Sequence, residues 1–186
     1  MVILVLALLW CGLVPGRGLA ADVDERTAVL MDELGILAVP RLAPPAEIRL
    51  PDLNGNMVDL DDFRGKVIFL NFWTTWCPTC QVEMPSMERL YQRFRERDFV
   101  MLAVDLQEPV AQVQSFFEQY RLSFTALMDT RGAIGRQFRV RALPTTIIID
   151  KQGAIVGKAL GPRKWDSSAA FRLFEHLVER DASGTD

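Results

Sequence analysis

The sequence predicts an α/β fold: a central mixed sheet flanked by helices, with an N-terminal hairpin and an N-terminal helical extension. Three observations carry this. Two nearly continuous apolar runs, Val67 to Trp73 and Phe99 to Leu106, read as strands covered on both faces. Stripes of helical period alternate with them, which gives a βαβ unit with a parallel pair and a right-handed crossover. Turn signals at Asn54-Gly55 and Lys151-Gln152-Gly153 mark hairpins, which add antiparallel strands.

In chain order, residues 1–20 read as a signal peptide or membrane anchor. Val2 to Trp10 is wholly apolar, shorter than the ~20 residues a span needs, and Gly18-Leu19-Ala20 before Ala21-Asp22 resembles a cleavage site. Residues 21–45 read as a helical extension and a Pro-rich linker. Leu30, Leu34 and Leu37 share a helical face, and acids at Asp22, Asp24 and Glu25 suit its first turn. Pro40, Pro44 and Pro45 then prevent the helix from continuing. Residues 46–182 form the main domain. Ile48–Asp52 and Met57–Leu60 flank the first hairpin turn, and Arg64-Gly65-Lys66 leads into the strand ending at Trp73. The helix after Cys77 contains Pro85, where a kink is expected. Its apolar stripe is Met87, Leu90, Tyr91 and Phe94, with Glu88, Arg89, Arg93 and Arg97 on other faces. After the second buried strand come the stripe Val110, Val113, Phe116, Phe117, Tyr120, an extended piece Ser123–Leu127 and a short helix Ala133–Phe138. A hairpin of Ile147–Asp150 with Ala154–Ala159 precedes a last amphipathic helix through Phe171, Phe174, Leu177 and Val178, capped near Asp166 or Ser167.

The chain has 186 residues, 49% of them apolar, with a net charge of −3, so nothing in its charge favours nucleic-acid binding. Its chemistry concentrates at Cys77-Pro78-Thr79-Cys80, placed between a buried strand and a helix. A thiol at a helix N-terminus is acidified by free N–H groups and the helix dipole, and the thiolate is the reactive form. Cys80 lies close enough to bond with Cys77, so the spacing suits a reversible dithiol/disulfide couple. Two alternatives stand beside it. Zinc needs about four ligands, and the other candidates are only Cys11 and His176. A purely structural bridge closing so short a loop restricts the unfolded chain little. No metal and no cofactor is expected.

Trp76-Cys77-Pro78-Thr79-Cys80, preceded by Phe69 to Trp73 and followed by Glu83 and Pro85, resembles the thioredoxin superfamily. It is most similar to the TlpA/ResA-like branch of exported, often membrane-anchored thiol-disulfide oxidoreductases. Leu143-Pro144-Thr145-Thr146 before an apolar strand matches that family's second signature, a loop with a cis-proline. The resemblance covers roughly residues 45–180 and implies a thioredoxin-like fold. It also implies a cis Pro144 beside the cysteine pair, with Leu143 and Thr145 offering backbone groups to a substrate strand. By position, Cys77 is the nucleophile and Cys80 the resolving thiol. Many thioredoxins carry an Asp six residues before the first cysteine. Asn71 stands there and cannot titrate. Glu83 matches the acid of ResA-like proteins and is the candidate for proton exchange, an exposed helix glutamate being the bland alternative. Trp76, Pro78 and Thr79 are assigned to substrate binding and redox tuning, with Trp73 either covering the disulfide or packing in the core.

The function expected is an exported thiol-disulfide reductase, periplasmic or otherwise extracytoplasmic, acting as a monomer. Its substrates would be cysteine-containing envelope proteins such as apocytochrome c, and a membrane thiol-disulfide donor would resupply electrons. A thiol oxidase or isomerase using the same site is the alternative. A metal-handling protein fits less well, since a copper chaperone on this fold would need one more residue between its cysteines. Peroxidase activity is disfavoured because its nucleophile normally follows a Pro and a Thr rather than opening a Cys-x-x-Cys.

Overall fold

The computed structural model describes residues 23–44 and 48–180. Its centre is strand β4 (Val67–Trp73), buried at every residue. β4 pairs in parallel with β5 (Phe99–Leu106) and antiparallel with β7 (Thr145–Ile149). β6 (Thr125–Asp129) extends the parallel side, and β8 (Ile155–Leu160) extends the antiparallel side. An edge strand, β1 (Leu37–Leu42), completes a six-stranded mixed sheet of order β1-β8-β7-β4-β5-β6. The short strands β2 (Arg49–Pro51) and β3 (Met57–Asp59) form the separate N-terminal hairpin, and a 3-10 turn, Leu60–Phe63, comes after it.

Alternate residues of β4 serve two cores. Val67, Phe69 and Trp73 pack with Met84, Met87, Leu90 and Phe94 of α2 (Pro78–Phe94), and with Leu173 and Phe174 of α5 (Ser168–Glu179). α3 (Val110–Tyr120) adds Val113, Phe116 and Phe117 to this core. Ile68, Leu70 and Phe72 face the other way, against Ile48 and Leu50 of the hairpin region and Ile134 and Phe138 at α4 (Ala133–Gln137). Both faces of the strand are therefore covered, which is why its sequence is apolar without alternation.

The N-terminal region differs from the sequence reading. The helix α1 (Glu25–Asp32) ends before Leu34 and Leu37, expected from the sequence on its face, and gives way to a turn with Gly35 at φ +62°. The stretch read as a linker instead supplies β1, antiparallel to β8. Pro40 is tolerated because an edge strand leaves one side of its backbone unpaired, and the register shifts between Ala38 and Leu42. α1 packs on α5 through Thr27–His176 (3.1 Å) and the ion pairs Asp24–Arg180 and Glu33–Arg172. Elsewhere the differences are small. β6 begins at Thr125 rather than Ser123, whose N–H and hydroxyl are both held by Glu88. α2 runs as one element through Pro85, and Ser167 caps α5 by accepting the N–H of Ala170. No helix among the described residues is long and apolar enough to cross a membrane. The apolar stretch of residues 1–20, with Cys11 in it, lies outside the described residues, as does Pro45.

Candidate active site

The site forms at the carboxyl ends of β4 and β5, where parallel strands gather functional groups. β4 ends at Trp73, and the loop Thr74–Trp76 carries the chain to α2. Glu108 grips this loop from the β5 side. Its carboxylate accepts the Thr75 N–H (2.5 Å) and the Thr75 hydroxyl (2.6 Å). Gln112 donates to both Glu108 and the Thr75 hydroxyl, while Gln81 of α2 donates to the Thr75 carbonyl at 2.6 Å.

Cys77 is the N-cap of α2, in extended conformation, with Pro78 in the first turn. Its sulfur accepts the backbone N–H of Cys80 at 3.2 Å, so a helix-terminal donor points at the reacting atom. The two cysteines form a disulfide with a Cα–Cα distance of 5.3 Å. Cys77 is 5% exposed and Cys80 0%, so Cys77 is the member of the pair nearer the surface. Thr79 bridges the two signatures: its hydroxyl lies 3.3 Å from the Cys77 sulfur and 3.5 Å from the Leu143 carbonyl.

Glu83, one turn further along α2, is 1% exposed rather than a surface residue. Asn71 Nδ2 donates to it at 2.9 Å, the indole N–H of Trp165 at 3.0 Å and the backbone N–H of Arg163 at 3.2 Å. Burial outweighs these donors and pushes the carboxyl from 4.5 up to about 7. Asn71 also donates to Thr146 at 3.0 Å, so the amide that replaces an acid in β4 works as a clamp on Glu83.

The Leu143–Pro144 peptide bond is cis. Pro144 is buried, and its carbonyl accepts the Gly161 N–H at 2.9 Å. Thr145 lies inside the sheet, opposite Phe72 on one side and Leu160 on the other. Its backbone is thus engaged on both sides, unlike the open edge expected from the sequence. A groove of about 460 Å³ runs beside the sulfur, with Trp76, Cys77 and Pro78 on one side and Val140, Arg141 and Leu143 on the other. Trp76 is 68% exposed over it. Trp73 is wholly buried against Phe116 and Phe117, with ring centroids 4.9 and 5.8 Å apart, and is a core residue.

Sequence reasoning missed a second set of buried acids. Asp105, next to last in β5, is in register with Trp73, and Asp129 ends β6. Glu108 is saturated by Thr75 and Gln112, and Asp129 accepts the N–H groups of Ala133 and Gly135, both at 2.8 Å. Asp105 accepts one N–H, from Glu108, and its Oδ2 has no hydrogen-bond partner among the described residues. Burial first, then the neighbouring Glu108 carboxylate, holds the Asp105 carboxyl well above the usual range. The usable signal was positional: acids at strand ends, with Pro109 just after them. Trp165 and Arg163 gave no such signal.

Comparison with known proteins agrees with this geometry. The AhpC/TSA family model matches residues 41–158. The thiol-disulfide oxidoreductase ResA of Bacillus thuringiensis subsp. konkukian is 41% identical over 110 residues, which span 59% of this chain but only 64% of that protein. The ResA of Geobacillus kaustophilus is 40% identical over 131 residues, 70% of each chain. Among solved structures, a thiol:disulfide interchange protein of the thioredoxin family from Chlorobium tepidum superposes with a TM-score of 0.65 at 25% identity, covering 76% of this chain and 99% of that one. The chain belongs to the AhpC/TSA family and, within the thioredoxin superfamily, to the ResA-like thiol-disulfide oxidoreductases.

Proposed function

We propose that this protein is an extracytoplasmic thiol-disulfide reductase that acts as a monomer on cysteine-bearing envelope proteins, apocytochrome c among them. The observation that carries the reading is the asymmetry of the pair. Cys77 opens a helix at the groove, whereas Cys80 and the acid Glu83 lie fully inside. In the reduced protein the Cys77 thiolate attacks one sulfur of a client disulfide. That bond breaks, one client thiolate leaves, and a mixed disulfide joins Cys77 to the other sulfur. Glu83 takes the proton of Cys80, whose thiolate then attacks the Cys77 sulfur. The second client thiol is released, two electrons have passed to the client, and the Cys77–Cys80 bond remains. A membrane thiol-disulfide donor restores the dithiol. Leu143, Pro144, Trp76, Pro78 and Thr79 present the client strand to Cys77.

The reduction potential of the Cys77/Cys80 pair tests the direction. A value near that of thioredoxin, about −270 mV, supports a reductase. A value near about −120 mV makes the protein an oxidant of folding proteins and sinks the reductase reading. Absence of any reversible couple removes both.

A further inference from the structure

The rim of the groove opposite Trp76 carries an unusual charge. Between Asp129 and Asp150 the chain has four arginines, Arg131, Arg136, Arg139 and Arg141, and no acid, although the whole protein is at −3. Arg136 turns back to the Arg131 carbonyl at 3.0 Å. Arg139 and Arg141 are exposed, and neither has an ion-pair partner among the described residues. Arg141 lines the same groove as Cys77. Arg139 sits at φ +51°, in the left-handed conformation that glycine adopts at least cost and that commonly closes a helix such as α4. An arginine thus occupies a position where a glycine would fit more easily, two residues before another arginine that lines the groove. The buried acids at the ends of β5 and β6 do not pair with them. Glu108 is buried and hydrogen-bonded to Thr75 and Gln112, and Asp129 to the N–H groups of α4, so neither forms an ion pair with Arg139 or Arg141. The groove thus pairs an apolar wall at Trp76 and Pro78 with a cationic rim at Arg141.

We propose that Arg141, supported by Arg139, selects client segments that carry carboxylate side chains within about three residues of the reacting cysteine, the reach of a short extended strand. This rests on the thiol-exchange reading above and adds the substrate class to it. The occupant is an extended acidic segment of a client protein, read by charge complementarity at the rim while Trp76 covers its apolar part.

The test uses the full chain in reduced form and three synthetic octapeptides. Each peptide has a single cysteine, flanked by aspartates, serines or lysines, and is presented as its disulfide-linked homodimer. Thiol release gives the second-order rate constants at low and high salt. The acidic peptide is expected to react about tenfold faster than the basic one at low ionic strength, with the preference collapsing at about 0.5 M salt. Arg141→Glu is expected to invert the order and Arg139→Glu to weaken it. Arg26→Glu makes the same change of charge on α1, which packs on α5, and is expected to leave the ratio unmoved. Equal rates for the three peptides, or a ratio that Arg26→Glu shifts as much as Arg141→Glu, overturns the proposal alone. Exchange with none of the peptides overturns the thiol-exchange reading and the proposal with it.

Discussion

Glu83 and Asp105 are both buried acids with raised affinity for protons, and the sign of the effect is the same for each. An acid that binds its proton more tightly when folded makes stability fall as pH rises from its ordinary value through its folded one. For Glu83 that window runs from 4.5 to about 7. For Asp105 it opens at 3.8 and extends upward. Urea unfolding of the oxidised protein is therefore expected to show a decline from pH 5 to pH 8. Glu83→Gln should flatten this decline in part; an unchanged slope would mean Glu83 is ionised throughout. The same variant is expected to slow the resolving step by about 100-fold and to remove a kinetic ionisation near 7, read by stopped-flow decay of a mixed disulfide. Asp105→Asn replaces a protonated acid by its neutral isostere. It should match the wild type near pH 3 and be the more stable protein at pH 7, and an equal loss at both would mean that Asp105 has no raised proton affinity. At this scale legibility was uneven. Cys77, Cys80, Glu83 and Pro144 stood out because their spacing belongs to a motif. The Glu108 grip on Thr75 depends on a contact 33 residues away in sequence, which no local pattern encodes.

Most elements emerged from periodicity: the buried runs became β4 and β5, and the stripes became α2, α3 and α5. The failure at β1 has a definite cause. Pro40 and Pro44 are breakers by local chemistry, yet an edge strand forms from its neighbour's hydrogen bonds, and that neighbour, β8, lies more than a hundred residues on in sequence. Arg163 reinforces the arrangement, bonding the Leu34 and Gly35 carbonyls (both 2.7 Å) through its guanidinium while its own N–H holds Glu83. Removing residues 1–44 is expected to bare the β8 edge and the α5 face. The truncated protein should melt at a lower temperature and associate with rising concentration, as uncovered edges do. Unchanged melting and a strictly monomeric product in ultracentrifugation would show that α1 and β1 contribute nothing to the body of the protein.

At the scale of the molecule, α1 and β1 share their core with the sheet, since Leu30, Met31 and Ile36 join the cluster that contains both cysteines. Thermal unfolding of the oxidised protein should accordingly be a single transition, with β1 amides protected from hydrogen exchange in step with those of β8. An early separate phase for β1 would contradict this. Sequence alone identified the α/β architecture and the centre of its chemistry. It missed how the N-terminal segment closes over them, because that depends on which distant surfaces meet. The burial of Cys80 has a consequence in time. A small thiol from the medium that attacks the mixed disulfide at Cys77 expels the client thiol and takes its place, whereas the Cys80 sulfur that completes the cycle lies buried. On the reading proposed above, forward release of a client is therefore timed from inside the protein, by the proton that leaves the buried Cys80.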